Sequence, residues 1–136
     1  MPELSALLVS ASLGAMLFFS AVIALTVFQV LDERAAGQFL RTIFPKYFVV
    51  NGLIALFAAV LAFRPLESAL LVLCAALMIG VRQFVIPIIN DARDAMVTGD
   101  AAAKARFDGW HRVSVVVNLA EMVLLVIIIY LLIFEA

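Results

Sequence analysis

The stretch that decides the fold of this chain is residues 110–130, WHRVSVVVNLAEMVLLVIIIY. It is long and apolar enough for a membrane-spanning helix. Four polar residues nevertheless recur within it at steps of three, four and three, namely His111, Ser114, Asn118 and Glu121. Such steps return to one face of a helix. Because a charged side chain at the centre of a bilayer costs roughly 2.5–3.5 kcal/mol, we expect the rest of the chain to shelter this face from lipid.

The composition of the whole chain indicates the same environment. The 136 residues are 67% hydrophobic and 14% charged. A soluble domain of this size cannot bury so much apolar surface, whereas about four spans of roughly 20 residues use most of the chain. We therefore predict an all-α membrane protein, a bundle of four transmembrane helices in a single domain of residues 1–136. The predicted spans are about 4–31, 45–63, 68–90 and 110–134.

Several function classes find no support in the sequence. The net charge of −1, without a basic run, gives no sign of a nucleic-acid partner. Cys74 is the only cysteine, so it cannot form an internal disulfide. There is no recognisable catalytic triad, phosphate-binding loop or CxxC motif. We therefore predict no enzymatic activity and no cofactor.

Two connections between the spans are predicted to contain additional helix. Residues 35–43 place apolar side chains at helical steps among polar ones, which is typical of a short amphipathic helix lying in the membrane interface. Pro45 suits the first turn of the span that follows. Residues 90–96 keep helix-forming character, and Gly99 and Asp100 are typical of a helix end and a helix start. We expect helices 3 and 4 to protrude together as a cytoplasmic hairpin.

The distribution of basic residues predicts the orientation. With four spans, the first and third connections lie on one side of the membrane. The basic residues on that side are Arg34, Arg41, Lys46, Arg93, Lys104, Arg106 and Arg112. The other side has only Arg64 and the chain's amino terminus. The positive-inside rule therefore predicts a multi-pass protein of a bacterial-type inner (plasma) membrane, with both termini outside.

The polar residues inside the spans define a candidate site. Measured from Asn90 and His111, Arg82 and Glu121 come to similar depths on helices joined by a short turn. We therefore predict that they pair, and that Asn118 completes the hydrogen bonds of the guanidinium. The predicted polar residues are Gln29, Asn51, Arg82, Gln83, Asn118 and Glu121.

Two interpretations of these residues stay open. In the first, they form a polar staple that holds the helices together. In the second, they line a cytoplasm-facing cavity of a transporter or channel for an ion or small polar solute, since ionisable groups inside a membrane usually mark such paths. His111 supports a third possibility, a non-transporting binding or assembly subunit that holds a metal, haem or lipid. A solvated interfacial histidine is the simpler interpretation of His111. We expect a homo-oligomer, a dimer or trimer, because four helices barely enclose a cavity.

Three segments carry a family resemblance. Residues 37–48 contain Gly37-x-Phe39 and then FPKYF, residues 87–96 contain Pro87 and NDAR, and residues 107–119 contain a histidine followed seven residues later by Asn-Leu. Together they resemble the transmembrane-protein-205-like family, which implies a small four-helix membrane protein but no reaction. The positions singled out by the resemblance are Phe44, Pro45, Tyr47, Asn90, Arg93, His111, Ser114 and Asn118.

Overall fold

The computed structural model describes residues 1–135, and Ala136, the last residue of the predicted domain, lies outside them. Four long helices make up this part of the chain: α1 (Pro2–Val30), α2 (Glu33–Ala62), α3 (Pro65–Val97) and α4 (Ala101–Phe134). Each is long and apolar enough to cross a membrane. The prediction of an all-helical, four-span chain is therefore confirmed, and the chain is a small multi-pass membrane protein.

Helix α1 turns one face of small and apolar side chains toward the bundle. Its buried residues, Ser5, Val9, Ser12, Met16 and Phe19, follow one another at steps of three or four, which keeps them on one side of a helix. A π-helical segment, Phe19–Ile23, interrupts the α-helical pattern before the helix resumes. A segment of this kind changes the register of the side chains that follow it.

The prediction of a separate interfacial helix before the second span is corrected by the structure of α2. The structure has one helix from Glu33 to Ala62, with Pro45 inside it. The apolar side chains of the predicted amphipathic segment are used in packing, because Ala36 and Leu40 are buried in a cluster with Phe19 of α1. Neighbouring helices also make a proline tolerable within a membrane helix.

A close contact joins the start of α2 to α3. The Arg93 side chain of α3 lies on the backbone of Gly37, where an added Cβ would overlap the Arg93 Cζ atom. The guanidinium donates a hydrogen bond of 3.1 Å to the Glu33 carbonyl. One turn further along α2, Arg41 pairs with Asp94 at 2.7 Å. The first turns of α2 therefore stand beside α3.

The turn between α3 and α4 lies where the sequence predicts it. Helix α3 ends at Val97 and α4 begins at Ala101. Gly99 has a φ of 90°, a conformation that glycine adopts at little cost. The Asp100 carboxylate accepts a hydrogen bond from the Ala102 backbone N–H and so caps α4. The two helices form a hairpin, and the first turns of α2 lie beside its α3 arm.

The opposite end of the bundle is fastened by Arg64, which lies between α2 and α3. Its guanidinium donates to the Leu131 carbonyl at 2.9 Å and to the Glu135 carbonyl. It also lies 3.4 Å from the Glu67 carboxylate. The Leu131 carbonyl also accepts a hydrogen bond from the Glu135 backbone N–H, and a cation is favourable at that end of the helix dipole.

The core consists of apolar side chains from all four helices. The bulkiest fully buried ones include Met16, Leu71, Met78, Leu125 and Ile128. Buried alanines on α2, between residues 55 and 62, leave room for α1 to approach, and the Ser5 hydroxyl donates to the Ala58 carbonyl at 2.8 Å. The exterior keeps many exposed leucines, valines and phenylalanines, as expected of a surface that faces lipid.

Candidate functional site

Glu121 is the acidic side chain most deeply enclosed by the bundle. It lies on α4 with only 1% of its surface exposed. Both carboxyl oxygens are buried and neither has a hydrogen-bond partner among the described residues. The carboxyl is close enough to the Tyr47 hydroxyl of α2 and the Cys74 thiol of α3 for a coulombic interaction with each. A buried carboxylate without a partner is costly, so this position favours neutralisation by a proton or a cation.

A set of hydrogen bonds surrounds the turn of α4 that precedes Glu121. The Tyr47 hydroxyl of α2 donates to Asn118 Oδ1 at 2.8 Å. Asn118 Nδ2 lies 3.5 Å from Ser20 Oγ on α1 and donates to it. Asn118 and Glu121 are three residues apart, so they lie on the same face of α4. The amide is therefore fixed by two other helices next to the unpartnered carboxyl.

The hydrogen bonds continue deeper along α2. Asn51 is 2% exposed, and its Nδ2 donates to the Tyr47 carbonyl at 2.9 Å. Its Oδ1 accepts a hydrogen bond of 2.7 Å from the Ser12 hydroxyl of α1. We call Ser12, Ser20, Tyr47, Asn51, Asn118 and Glu121 the polar cluster. It joins α1, α2 and α4 inside an otherwise apolar bundle.

Aromatic rings hold Tyr47 in place. The ring centroids of Tyr47 and Phe19 are 4.9 Å apart, and Phe44 meets Phe19 edge-on at 5.4 Å. Phe48 lies against Tyr47 at 5.1 Å. Edge-on and tilted contacts of this kind are favourable for aromatic pairs. Phe19 also begins the π-helical segment that contains Ser20, so one stretch of α1 supports both the ring and the amide of the cluster.

The predicted pair of Arg82 and Glu121 is wrong. No hydrogen bond or ion pair joins them within residues 1–135, and Arg82 donates to the neighbouring Gln83 side chain instead. The reason is that the two residues lie at different depths in the bundle. Counted from Gly99, Arg82 is 17 residues away and Glu121 is 22, so at 1.5 Å per residue they differ by about 7.5 Å along the bundle.

Two further predicted members lie outside the polar cluster. Gln29 is exposed near the end of α1, and Gln83 is exposed on α3. Of the six predicted residues, the structure therefore brings together Asn51, Asn118 and Glu121. An open cavity of about 390 Å³ lies at the other end of the bundle, beside Arg64, and the cluster does not line it.

The positions of the family resemblance fall into three groups. Phe44, Tyr47 and Asn118 belong to the polar cluster or its aromatic support. Pro45 is half-buried within α2. Asn90 and Arg93 serve the α2–α3 contact, where the Asn90 carbonyl accepts a 3.2 Å hydrogen bond from Arg41.

His111 and Ser114 form the third group, and they do not join the cluster. The His111 side chain is exposed, and its ring stacks on Phe107 with 5.7 Å between centroids. The Ser114 hydroxyl donates to the His111 carbonyl at 2.7 Å. Across residues 1–135, no three His, Cys, Asp or Glu side chains gather as a metal site requires. The arrangement thus fits an interfacial histidine.

The sequence does not predict the partners that α1 and α2 supply to Asn118 and Asn51. Ser12 and Ser20 look like any small residues that let membrane helices pack closely, and Tyr47 has the position of a headgroup anchor. One signal was available for the serines on α1: Ser5 and Ser12 are seven residues apart, which is close to two helical turns and places them on one face.

Comparison with known protein families gives a match. A family model described as a domain of unknown function (DUF4149) matches residues 7–98. The match covers most of α1 and all of α2 and α3. No curated protein and no solved structure matches the chain. The description agrees with the unknown function implied by the motif resemblance. It gives no support to the transmembrane-protein-205-like family itself, which stays a prediction.

Proposed function

The chain belongs to the DUF4149 family, and we propose that it is a small membrane transporter or channel for an ion or a small polar solute. The observation that carries this proposal is the Glu121 carboxyl, which is enclosed by the bundle with both oxygens unpartnered. Ionisable groups inside membrane helices commonly mark ion and solute paths. Asn118, Tyr47 and Ser20 supply further polar atoms beside it.

A purely structural role does not account for Glu121. Hydrogen bonds between helices in a membrane contribute about 0.6 kcal/mol on average. Placing a charge at such depth costs several times as much. Among residues 1–135, Glu121 finds no hydrogen bond that would offset even part of that cost. Asn118 and Asn51, in contrast, make interhelical or backbone hydrogen bonds and are adequately explained as structural residues.

We further propose the orientation that the basic residues indicate. Arg41 and Arg93 lie at the Gly99 end of the bundle, where they bond to α3 and α2. Arg64 lies at the end that holds the termini. The positive-inside rule then assigns the Gly99 end to the cytoplasm of a bacterial-type inner membrane. In this orientation, a solute arriving from the cytoplasm meets Tyr47 and Asn118 before Glu121.

We also propose that the working unit is a dimer or trimer. Helix α1 exposes Ser10, Ala11, Gly14 and Ala15 along part of its length, and small residues let membrane helices approach closely. Gly14 has no other atom within 4 Å of where its Cβ would be. A second copy has room to pack there, and the mass of the protein in detergent measures the oligomeric state.

The test is a flux assay on purified protein in liposomes, with several ions and small polar solutes at several pH values. We compare the wild type with Glu121→Gln, which removes the charge and keeps the shape. Glu67→Gln is the matched control, because Glu67 is also a buried acid but has Arg64 as its partner. We expect Glu121→Gln to reduce flux to the level of protein-free liposomes, and Glu67→Gln to keep it. Full flux in Glu121→Gln would contradict the proposal and favour the structural staple.

A further inference from the structure

We infer that the ion bound at Glu121 is a proton, so that this carboxyl takes up a proton from one side of the membrane and releases it to the other. The inference rests on the proposed function and names the ion for the same site. It is carried by the contacts of the carboxyl, which leave both oxygens enclosed and unpartnered on the inner side of α4.

The surrounding atoms suit a proton better than a metal ion. Hard cations such as Ca²⁺ and Mg²⁺ take six or more oxygen ligands. The side-chain oxygens of Asn118 and Asn51 already accept hydrogen bonds from Tyr47 and Ser12, and α3 faces the carboxyl with the Cys74 thiol. In the described chain, no second carboxylate or histidine joins Glu121 in a metal-binding group. A proton needs only one oxygen, and Glu121 has two free.

Among the groups around this site, the Glu121 carboxyl is the one that we infer gains and loses the proton. Tyr47 faces it from α2 and Cys74 faces it from α3. From α1 the nearest polar group of the cluster is the Ser20 hydroxyl, which reaches Asn118 and carries no charge. On α4 itself, the nearest ionisable residues along the chain are Arg112 and Tyr130, both exposed. No lysine, arginine or histidine in residues 1–135 pairs with the carboxyl.

Protonation would change the hydrogen bonding around the cluster. An ionised carboxylate only accepts hydrogen bonds, whereas a carboxylic acid also donates one. The Tyr47 hydroxyl already donates to Asn118, and its oxygen still has acceptor capacity. Proton uptake at Glu121 thus adds a hydrogen-bond donor to the polar cluster. The step is balanced as the gain of one proton by one carboxylate oxygen, with no electron transferred, and its reversal releases the same proton.

The first test asks whether the carboxyl carries a proton. Dicyclohexylcarbodiimide is an apolar reagent that reacts with protonated carboxyl groups in apolar surroundings. The acid O–H adds across one C=N bond of the reagent, and the product rearranges to a stable N-acylurea. We expect mass spectrometry of the labelled wild type to find the adduct on Glu121, with less labelling as the pH rises. Glu121→Gln should lose that adduct and Glu67→Gln should keep it. Failure to label Glu121 at any pH, while other acids react, would overturn the inference.

The second test measures proton movement. Liposomes containing the protein and a trapped pH-sensitive dye receive a potassium diffusion potential through valinomycin. We expect proton uptake by the wild type and by Glu67→Gln, and loss of uptake to the protein-free rate in Glu121→Gln. If Glu121→Gln does not fold, Glu121→Asp replaces it, with slower uptake expected because the shorter acid moves away from Tyr47.

The outcomes separate the two proposals. Flux of another ion or solute that requires Glu121, without proton movement or carbodiimide labelling, overturns the proton inference and leaves the proposed function standing. Carbodiimide labelling of Glu121 without flux of protons or of any other ion or solute overturns both the proposed function and the transfer of a proton across the membrane, and leaves only a carboxyl that binds a proton.

Discussion

At the scale of single residues, the contact between Gly37 and Arg93 makes a sharp prediction. Alanine is favoured over glycine inside a helix by about 1 kcal/mol. A Cβ at position 37 would collide with the Arg93 guanidinium, which could move only by giving up its hydrogen bond to the Glu33 carbonyl. We expect Gly37→Ala to give little or no stabilisation in the wild type. In an Arg93→Ala background the collision is gone, so the same change should raise the free energy of unfolding by about 1 kcal/mol.

Gly109 is the matched control for this double-mutant cycle. It lies within α4 and has no atom within 4 Å of the place that a Cβ would take. Gly109→Ala should therefore stabilise both backgrounds equally. Denaturant unfolding in detergent, followed by circular dichroism, measures all the variants. An equal effect of Gly37→Ala in both backgrounds would contradict the contact.

At the scale of secondary structure, the continuous helix α2 predicts a depth profile. Arg34, Gln38 and Thr42 are exposed and lie four residues apart on one side of α2. Along a helix that crosses the membrane, each step of four residues changes the depth by about 6 Å. A helix lying in the interface would keep all three at one level.

Spin labels at these positions test the profile. Each is introduced as a single cysteine, for example Gln38→Cys, in a Cys74→Ala background. Depth is then measured in lipid from the collision rates of the label with oxygen and with a water-soluble relaxation agent. We expect a steady progression from position 34 to position 42. Equal depths at the three positions would contradict a membrane-crossing segment and support the interfacial helix.

Some features of the helices and turns can be predicted from local sequence, and others cannot. The turn at Gly99 and Asp100 is predictable because a left-handed backbone and a capping carboxylate are local requirements. The continuity of α2 through Pro45 is not, because it depends on contacts with residues far along the chain. Those contacts include Arg93, which lies 60 residues from the Glu33 carbonyl that it meets.

At the scale of the whole molecule, the proposed orientation predicts which end is accessible from outside. Glu3 and Thr98 are exposed at opposite ends of the bundle. In a Cys74→Ala background, a membrane-impermeant maleimide added to intact cells should label Glu3→Cys. It should label Thr98→Cys only after the cells are permeabilised, because the basic end is held inside. Labelling of Thr98→Cys in intact cells, with Glu3→Cys protected, would invert the orientation.

The candidate site was predictable only in part. Burial of Glu121 and Asn51, and partial burial of Asn118, follow from their contrast with the apolar spans around them, because lipid rejects such side chains. Their partners do not follow, since the choice among equally plausible neighbours depends on the relative depth and rotation of helices. The predicted pairing of Glu121 with Arg82 came from an error of a few residues in the level from which their depths were counted. The π-helical segment that contains Ser20 has no obvious sequence signal.

The polar cluster also bears on how the protein is made. Synthesis proceeds from the amino terminus, so α1 and α2 leave the ribosome before α4. The Ser12–Asn51 contact and the aromatic support of Tyr47 use only those two early helices. The surface of α1 and α2 against which Asn118 and Glu121 pack can therefore form in the bilayer before α4 is synthesised. The last helix, which carries Glu121, therefore arrives when Tyr47 and Ser20, the hydrogen-bond partners of Asn118, are already in the bilayer.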